Sequence, residues 1–345
     1  MFSNIDSYCN YALLTIMLPD MAPSTLHIGA RPWAHLTPLA TGVTVCGRDV
    51  HLHPLTRTPR IWDETDFDVA ETSLSGYVRA RAGGDDTITG LPIFVMRGFR
   101  QRCILVRADS PLETPADLAG RRIGLTGWPD SGNTWTRELL TNEGVDLGGI
   151  DWHLGPLTPD APRFDRTGGV PVGPNVHSLD PGDGLADALH RGHLDAIMTP
   201  FMPPGFYTDG TLRTLQRDSQ AAEEAYFRQR GYLPGMHLIT VRTALLEEQP
   251  DLAQGLIDAF QEAKVTNARV RDKLQDAFPW HDREQARTAR VFGADWLPYG
   301  WPGDEPMVTD FQRALMAQGL LPAPVPDHYL FPHPVTPSTS KEYAA

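Results

Sequence analysis

Cysteine is scarce in this chain. Three residues in 345, Cys9, Cys46 and Cys103, make neither a metal-spaced set nor an even-numbered disulfide framework, and they fit a reducing compartment. Basic charge is also short: 30 Lys and Arg stand against 43 Asp and Glu, a net charge of -13. That balance argues against nucleic acid and anionic membrane surfaces as partners. It leaves room for an acidic small molecule, because a local arginine pocket can oppose the global field. Long apolar runs are missing, since Leu13 to Leu18 is closed by Pro19 and Asp20, too short to span a bilayer. The start has no basic segment followed by an apolar run and a small-residue cleavage site, so a cytoplasmic protein is expected. There is no His-Glu-x-x-His, Cys-x-x-Cys, phosphate loop or dinucleotide fingerprint, and no nucleotide cofactor is expected.

Gly and Pro are plentiful, 31 of each, which implies many turns rather than a helical bundle. The length allows two domains with separate cores. Two stretches share one grammar. Phe67-Asp-Val-Ala-Glu-Thr-Ser-Leu-Ser-Gly-Tyr77 begins as a buried strand, turns polar at Glu71, Thr72 and Ser73, and continues at helical spacing through Leu74, Tyr77 and Val78. Arg122 to Thr126 is a second short strand; a loop rich in Gly, Ser and Asn leads from it to a helix carrying Trp135, Leu139 and Leu140. The first turn of a helix has unpaired N–H groups and the positive end of the dipole, which suits an anion. One such junction is an ordinary cap; two suggest a two-sided cleft.

Other elements alternate in the same way. Ala12 to Met17 reads as the first strand, and Pro19 to Pro38 as a loop anchored by Arg31 and Trp33. Gln101 to Arg107, Ile150 to Leu154, Leu194 to Met198 and Gly235 to Arg242 read as strands. Helices are expected over 179–191, 221–230, 250–276, 282–297 and 306–318. Alternating strands and helices predict an α/β fold with mostly parallel sheets, whose ligands lie beyond the carboxyl ends of the strands. The chain crosses between lobes at 101–107 and back at 200–211. This makes 10–103 and 206–330 a discontinuous first lobe, 104–205 an inserted second lobe, and 331–345 a flexible tail.

Several segments resemble the 4,5-dihydroxyphthalate decarboxylase family. They are Phe67 to Tyr77, Leu91-Pro-Ile-Phe-Val-Met-Arg97 with Phe99 and Arg100, and Pro115-Ala-Asp-Leu-Ala-Gly-Arg-Arg-Ile-Gly124. Trp135 with Arg137, Gly192-His-Leu-Asp-Ala-Ile197, Pro234-Gly-Met-His237 and Trp296-Leu-Pro-Tyr-Gly300 complete the set, in order, from about 65 to 320. The resemblance implies the two-lobed, periplasmic-binding-protein-like type 2 fold with a ligand cleft between lobes. It also implies release of carbon dioxide from a hydroxylated aromatic acid. The chain departs from the pattern at Gln101, where the family commonly has His, in its opening segment, and in the Trp-Pro-Asp-Ser-Gly-Asn-Thr loop. The resemblance therefore does not extend to 4,5-dihydroxyphthalate itself as substrate.

Decarboxylating a phenolic acid needs a held carboxylate, a protonated ring carbon and a phenol that gives up its proton. On the implied scheme Arg97 and Arg100 clamp the carboxylate through planar bidentate contacts. Ser73, Ser75, Ser131 and Thr134 add donors, and Trp135 stacks on the ring. His237 moves a proton, and Glu71 orients it or holds the phenol. Gln101, His177 and Tyr299 complete the substrate-facing set. No cofactor is expected, although Glu71, His177 and His237 could meet around a divalent ion. A homo-oligomer is left open. A carboxylate-binding or sensing protein, or a biosynthetic enzyme acting on another acid, would use the same cleft and clamp.

Overall fold

In the computed structural model residues 25–273 and 279–338 are described. The expected strand at Ala12–Met17 lies outside them, as does the end of the 250–276 helix. Strands β1 (Leu26–Ala30), β2 (Thr44–Val45) and β3 (Arg48–Pro54) open the chain. β1 sits inside the stretch read as a loop, because five residues between Pro23 and Pro32 are too few to show a period. β4 (Val69–Ser73) runs directly into α1 (Leu74–Ala82), the strand-to-helix junction expected there. β5 (Ile88–Arg97) follows, buried on both faces over most of its length.

The chain then builds β6 (Ile104–Arg107), β7 (Arg122–Leu125), α2 (Ser131–Asn142), β8 (Asp151–Leu154) and β9 (Val176–Ser178). It continues through α3 (Leu185–His190), β10 (Ala196–Met198) and β11 (Leu212–Thr214). After α4 (Ser219–Arg230) come β12 (Gly235–Arg242), α5 (Thr243–Glu248), α6 (Leu252–Lys273), α7 (His281–Phe292), α8 (Glu305–Ala317) and α9 (Asp327–Leu330).

The strands form two six-stranded sheets, ordered β2-β3-β1-β4-β12-β5 and β11-β6-β10-β7-β8-β9. Both sheets are mixed rather than mostly parallel. β12 runs antiparallel to β4 and β5, and β6 runs antiparallel to β10 and β11. Pro92 lies on β5, at a sheet edge, where a missing donor is tolerated, and its carbonyl accepts from the Gly300 N–H. The lobe boundaries shift from those expected. β6 begins at Ile104, after a short 3-10 turn at Gln101–Cys103, so the outward crossing precedes the strand. β11 pairs with β6, so it belongs to the second sheet and the return crossing lies after Thr214, not at 200–211. Alternation along the chain does not say which sheet a three-residue strand will join; edge pairing decided it.

One apolar core runs through both lobes, linking Tyr77 and Phe94 of the first with Trp135, Leu125 and Trp152 of the second by way of Phe311 and Phe331. A second core fills the far side of the first sheet under α6, and a third lies under α3. Within the stretch expected to be a flexible tail, Phe331 is buried against Trp301, Phe94 and Tyr77. Burying such a side chain is worth about 1.5–3 kcal/mol, enough to hold the segment down. Ser338 N–H donates to Asp258 at 2.7 Å, so the described part of the tail is tied to α6. Residues 339–345 lie outside the described part.

Candidate active site

The β4–β12 register brings the central pair together. His237 is the Cα partner of Ser73. Strand residues two apart share a face, so Glu71 and Ser73 are on one side and His237 is diagonal to Glu71. His237 Nδ1 and Glu71 Oε1 are 2.5 Å apart. The other carboxylate oxygen accepts from the Arg31 N–H at 2.8 Å and from Trp33 Nε1 at 2.9 Å. Burial of Glu71 would raise its pKa, but the hydrogen bond and charge of His237, with the Arg31 and Trp33 donors, outweigh it and hold the carboxyl below its usual range. With Nδ1 engaged, Nε2 is the ring nitrogen left to a ligand.

His237 opens on a cavity of about 370 Å³ lined by both lobes. The first lobe contributes Arg31, Ser73, Met96 and His237, and the second contributes Asp130, Ser131, Arg166 and Phe201. The two junctions read from sequence face each other here: Ser73 Oγ and Ser131 Oγ are 2.8 Å apart, and the Ser75 N–H donates to Ser131 Oγ at 2.9 Å. Arg100 reaches the cavity from the crossing segment. Its Nε donates to Thr136 Oγ1 at 3.1 Å, whereas Nη2 is buried with no hydrogen-bond partner. Burial lowers its pKa, yet an arginine stays cationic in water at neutral pH. Glycine at 132 makes room for it, since a Cβ there would lie 3.0 Å from Nη2. A buried guanidinium with Nη2 unsatisfied, beside two other cavity arginines in a chain of net charge -13, has the chemistry to accept an anion.

No family model matches the chain. It is 30% identical to the 4,5-dihydroxyphthalate decarboxylase of Comamonas testosteroni over 267 residues, 76% of this chain and 81% of that one. The chain belongs to the 4,5-dihydroxyphthalate decarboxylase family. It is also 30% identical over 183 residues to the protein of that name from Pseudomonas putida, covering 50% of this chain and 68% of the relative. The fold is that of the periplasmic binding proteins. The periplasmic aliphatic sulphonate binding protein SsuA from Escherichia coli superposes with a TM-score of 0.57 at 16% identity, over 93% of this chain and 96% of that one.

In this member of the decarboxylase family Glu71, Ser73, Arg100, Ser131 and His237 converge on one cavity or directly behind it. Other expected residues do not reach it. Arg97, expected to clamp a carboxylate, is turned inward onto Asp304 at 2.5 Å, because strand alternation puts it opposite Met96, the residue that lines the cavity. Trp135 lies one turn deeper in α2 than Ser131; it packs on Phe311 and donates from Nε1 to the Gly235 carbonyl at 2.9 Å. Thr134 is fully buried, its carbonyl accepting from Gln318 Nε2. Gln101 supports Arg100 from behind, accepting its backbone N–H at 3.1 Å. Ser75 acts through its backbone, and Tyr299 lies beneath Lys264, 4.3 Å from ring centre to Nζ. His177 is on β9, at the far edge of the second sheet, 3.1 Å from Asp151, so it does not join Glu71 and His237. Among the described residues no group of three or more His, Cys, Asp or Glu is arranged to hold a metal ion.

The sequence reading passed over Asp130, Arg166 and Phe201. Arg166 lies in a Pro- and Gly-rich stretch with no period to mark it. Arg31 and Trp33 were legible only as an anchoring pair; what they anchor is Glu71.

His35 stands beside Trp33, with the two rings stacked at 6.4 Å. Burial and the nearby Lys264 lower its pKa to about 4. Between that value and the ordinary histidine range the unfolded chain binds the proton and the folded chain does not. The contribution is therefore fully present above about pH 6.5 and is lost as pH falls toward 4. His35→Gln should flatten the pH dependence of the unfolding free energy in that window, by up to about 1 kcal/mol per pH unit, as read from denaturant melts. Parallel profiles for the two proteins would contradict it.

Proposed function

We propose that this protein decarboxylates a small hydroxylated aromatic carboxylic acid. The observation that carries the reading is the Glu71–His237 pair opening on the same cavity as Arg100, whose buried Nη2 has no hydrogen-bond partner. Family membership supports it, since both curated relatives are named as decarboxylases of such an acid. Arg100 holds the carboxylate. His237 Nε2 accepts the proton of a phenol ortho or para to it, and Glu71 stabilises the resulting imidazolium. Electron density then reaches the carbon that bears the carboxylate. Met96 and Met236 line the same cavity and supply adaptable apolar contact for a ring. The reaction as written needs no organic cofactor.

The test is to incubate the protein, with and without a chelator, with 4-hydroxybenzoate, 3,4-dihydroxybenzoate and 4,5-dihydroxyphthalate, following carbon dioxide and product mass. Turnover of one of them is the expected result, and the chelator arm decides whether a metal takes part. Binding of these acids without turnover would replace the reading with solute binding or sensing. Arg100→Ala should weaken binding of the accepted acid roughly 10- to 100-fold, the value of a charged hydrogen-bonded contact. Unchanged affinity would remove Arg100 from carboxylate recognition.

A further inference from the structure

Protonation of the ring carbon needs a donor, and His237 is occupied in taking the phenol proton. We propose that Asp130, from the opposite lobe, is the acid that delivers a proton to the ring carbon losing carbon dioxide. This rests on the decarboxylase reading above.

Asp130 ends the loop after β7 and immediately precedes α2. An aspartate at that position ordinarily accepts from the first amides of its helix. Asp130 makes no such bond. Its carboxyl is folded back over Gly127, where a Cβ would lie 2.4 Å from Oδ2, so only glycine leaves the space. The side-chain contact it keeps is a long one, 3.5 Å from Asn133 Nδ2, which bonds more closely to the Gly127 carbonyl at 2.7 Å. Two cavity arginines, Arg100 and Arg166, are near, yet among the described residues Asp130 forms an ion pair with neither. Asp130 lies deep in the cleft between the lobes, yet the residue is exposed and open to the cavity.

That setting favours the neutral acid. Although the residue is open to the cavity, the protein packed around the cleft shifts the Asp130 pKa upward, against the opposing charges of Arg137, His237, Arg166 and Arg100. A substrate carboxylate on Arg100 adds like-charge repulsion and raises it further. The acid form admits the anion; an ionised Asp130 would repel it. The step balances. His237 takes the phenol proton, the ring electron pair forms a C–H bond with the Asp130 proton, and the carbon becomes tetrahedral. The bond to the carboxylate then breaks, its electron pair restores the aromatic ring, and carbon dioxide leaves. The imidazolium returns its proton to the phenolate oxygen. Asp130 is reloaded from solvent, consistent with the one proton consumed per turnover.

The test uses the full chain and whichever of the three named acids the wild type decarboxylates. Asp130→Asn keeps the shape and removes the transferable proton. Its turnover number should fall about 10²- to 10⁴-fold, with affinity for the acid unchanged or tighter, and the loss of turnover at high pH expected of the wild type should be absent from the residual rate. Asp130→Glu should retain part of the turnover. Gly127→Ala, which occupies the carboxyl's space without touching the helix amides, should lose turnover with the fold intact, and it serves if Asp130→Asn does not fold. An Asp130→Asn or Gly127→Ala protein with turnover within threefold of wild type overturns the proposal. A wild type that releases no carbon dioxide from any of the acids overturns the decarboxylase reading itself, a result distinguishable from the failure of Asp130 alone.

Discussion

His237→Asn should cut carbon dioxide release about 10²- to 10⁴-fold, the usual worth of a positioned acid–base group, with little change in melting temperature. The asymmetry follows from the Glu71 bonds. An asparagine amide can still donate toward Glu71 Oε1, while Arg31 and Trp33 hold Oε2, so the buried carboxylate keeps its partners. What is lost is a nitrogen able to take and return a proton. His237→Ala tests the same point less cleanly, because it leaves a buried acceptor unsatisfied at a cost of about 1–3 kcal/mol. Full turnover in His237→Asn would remove the histidine from the mechanism. Turnover lost together with the fold would make the pair structural.

Arg97→Ala should be the most destabilising of the substitutions considered, by about 3–5 kcal/mol, while leaving affinity for the acid within about threefold below the transition. The Arg97 and Asp304 side chains are 1% and 5% exposed. The guanidinium also donates to the Pro298 and Leu233 carbonyls at 3.1 and 3.3 Å and lies 4.9 Å from the Phe94 ring centre. Burial pushes the Asp304 carboxyl up, and Arg97 opposes that shift. Removing the arginine leaves a buried carboxyl that must ionise unpaired or stay protonated. Asp304→Asn in the same chain should recover part of the loss, which a thermal melt of the double variant reads directly. A wild-type melting temperature with lost acid binding would instead return Arg97 to the cleft. The sequence suggests that result, because Arg97 and Arg100 stand three apart beside an anion-suited junction.

The difference between those two arginines shows where legibility stops. Both belong to the same motif, but Arg97 ends a strand and takes the face opposite Met96, whereas Arg100 lies past the strand in the crossing segment. Periodicity could have separated them had the end of β5 been known; a helical or loop continuation would have reversed the outcome. Trp135 is a similar case. Its large ring suggested a stacking surface, and packing against α8 and β12 claimed it for the core. Asp130 carried no signal beyond being a good helix cap, and its departure from capping depends on Gly127 three residues earlier.

Local patterns in the chain were enough for the two strand-to-helix junctions, the alternation that builds two α/β lobes, and Glu71, Ser73 and Ser131 as candidates, whereas His237 was supplied chiefly by the family resemblance. Each of these patterns rests on residues a few positions apart, where strand and helix periods and caps operate. Tertiary structure alone decided which sheet β11 joins, which arginine faces the cavity, and that Glu71 meets a histidine 166 positions away while His177 does not. Those outcomes depend on strand order and register. They are set by the burial of whole faces and the pairing of edges, and no short window of sequence contains both partners.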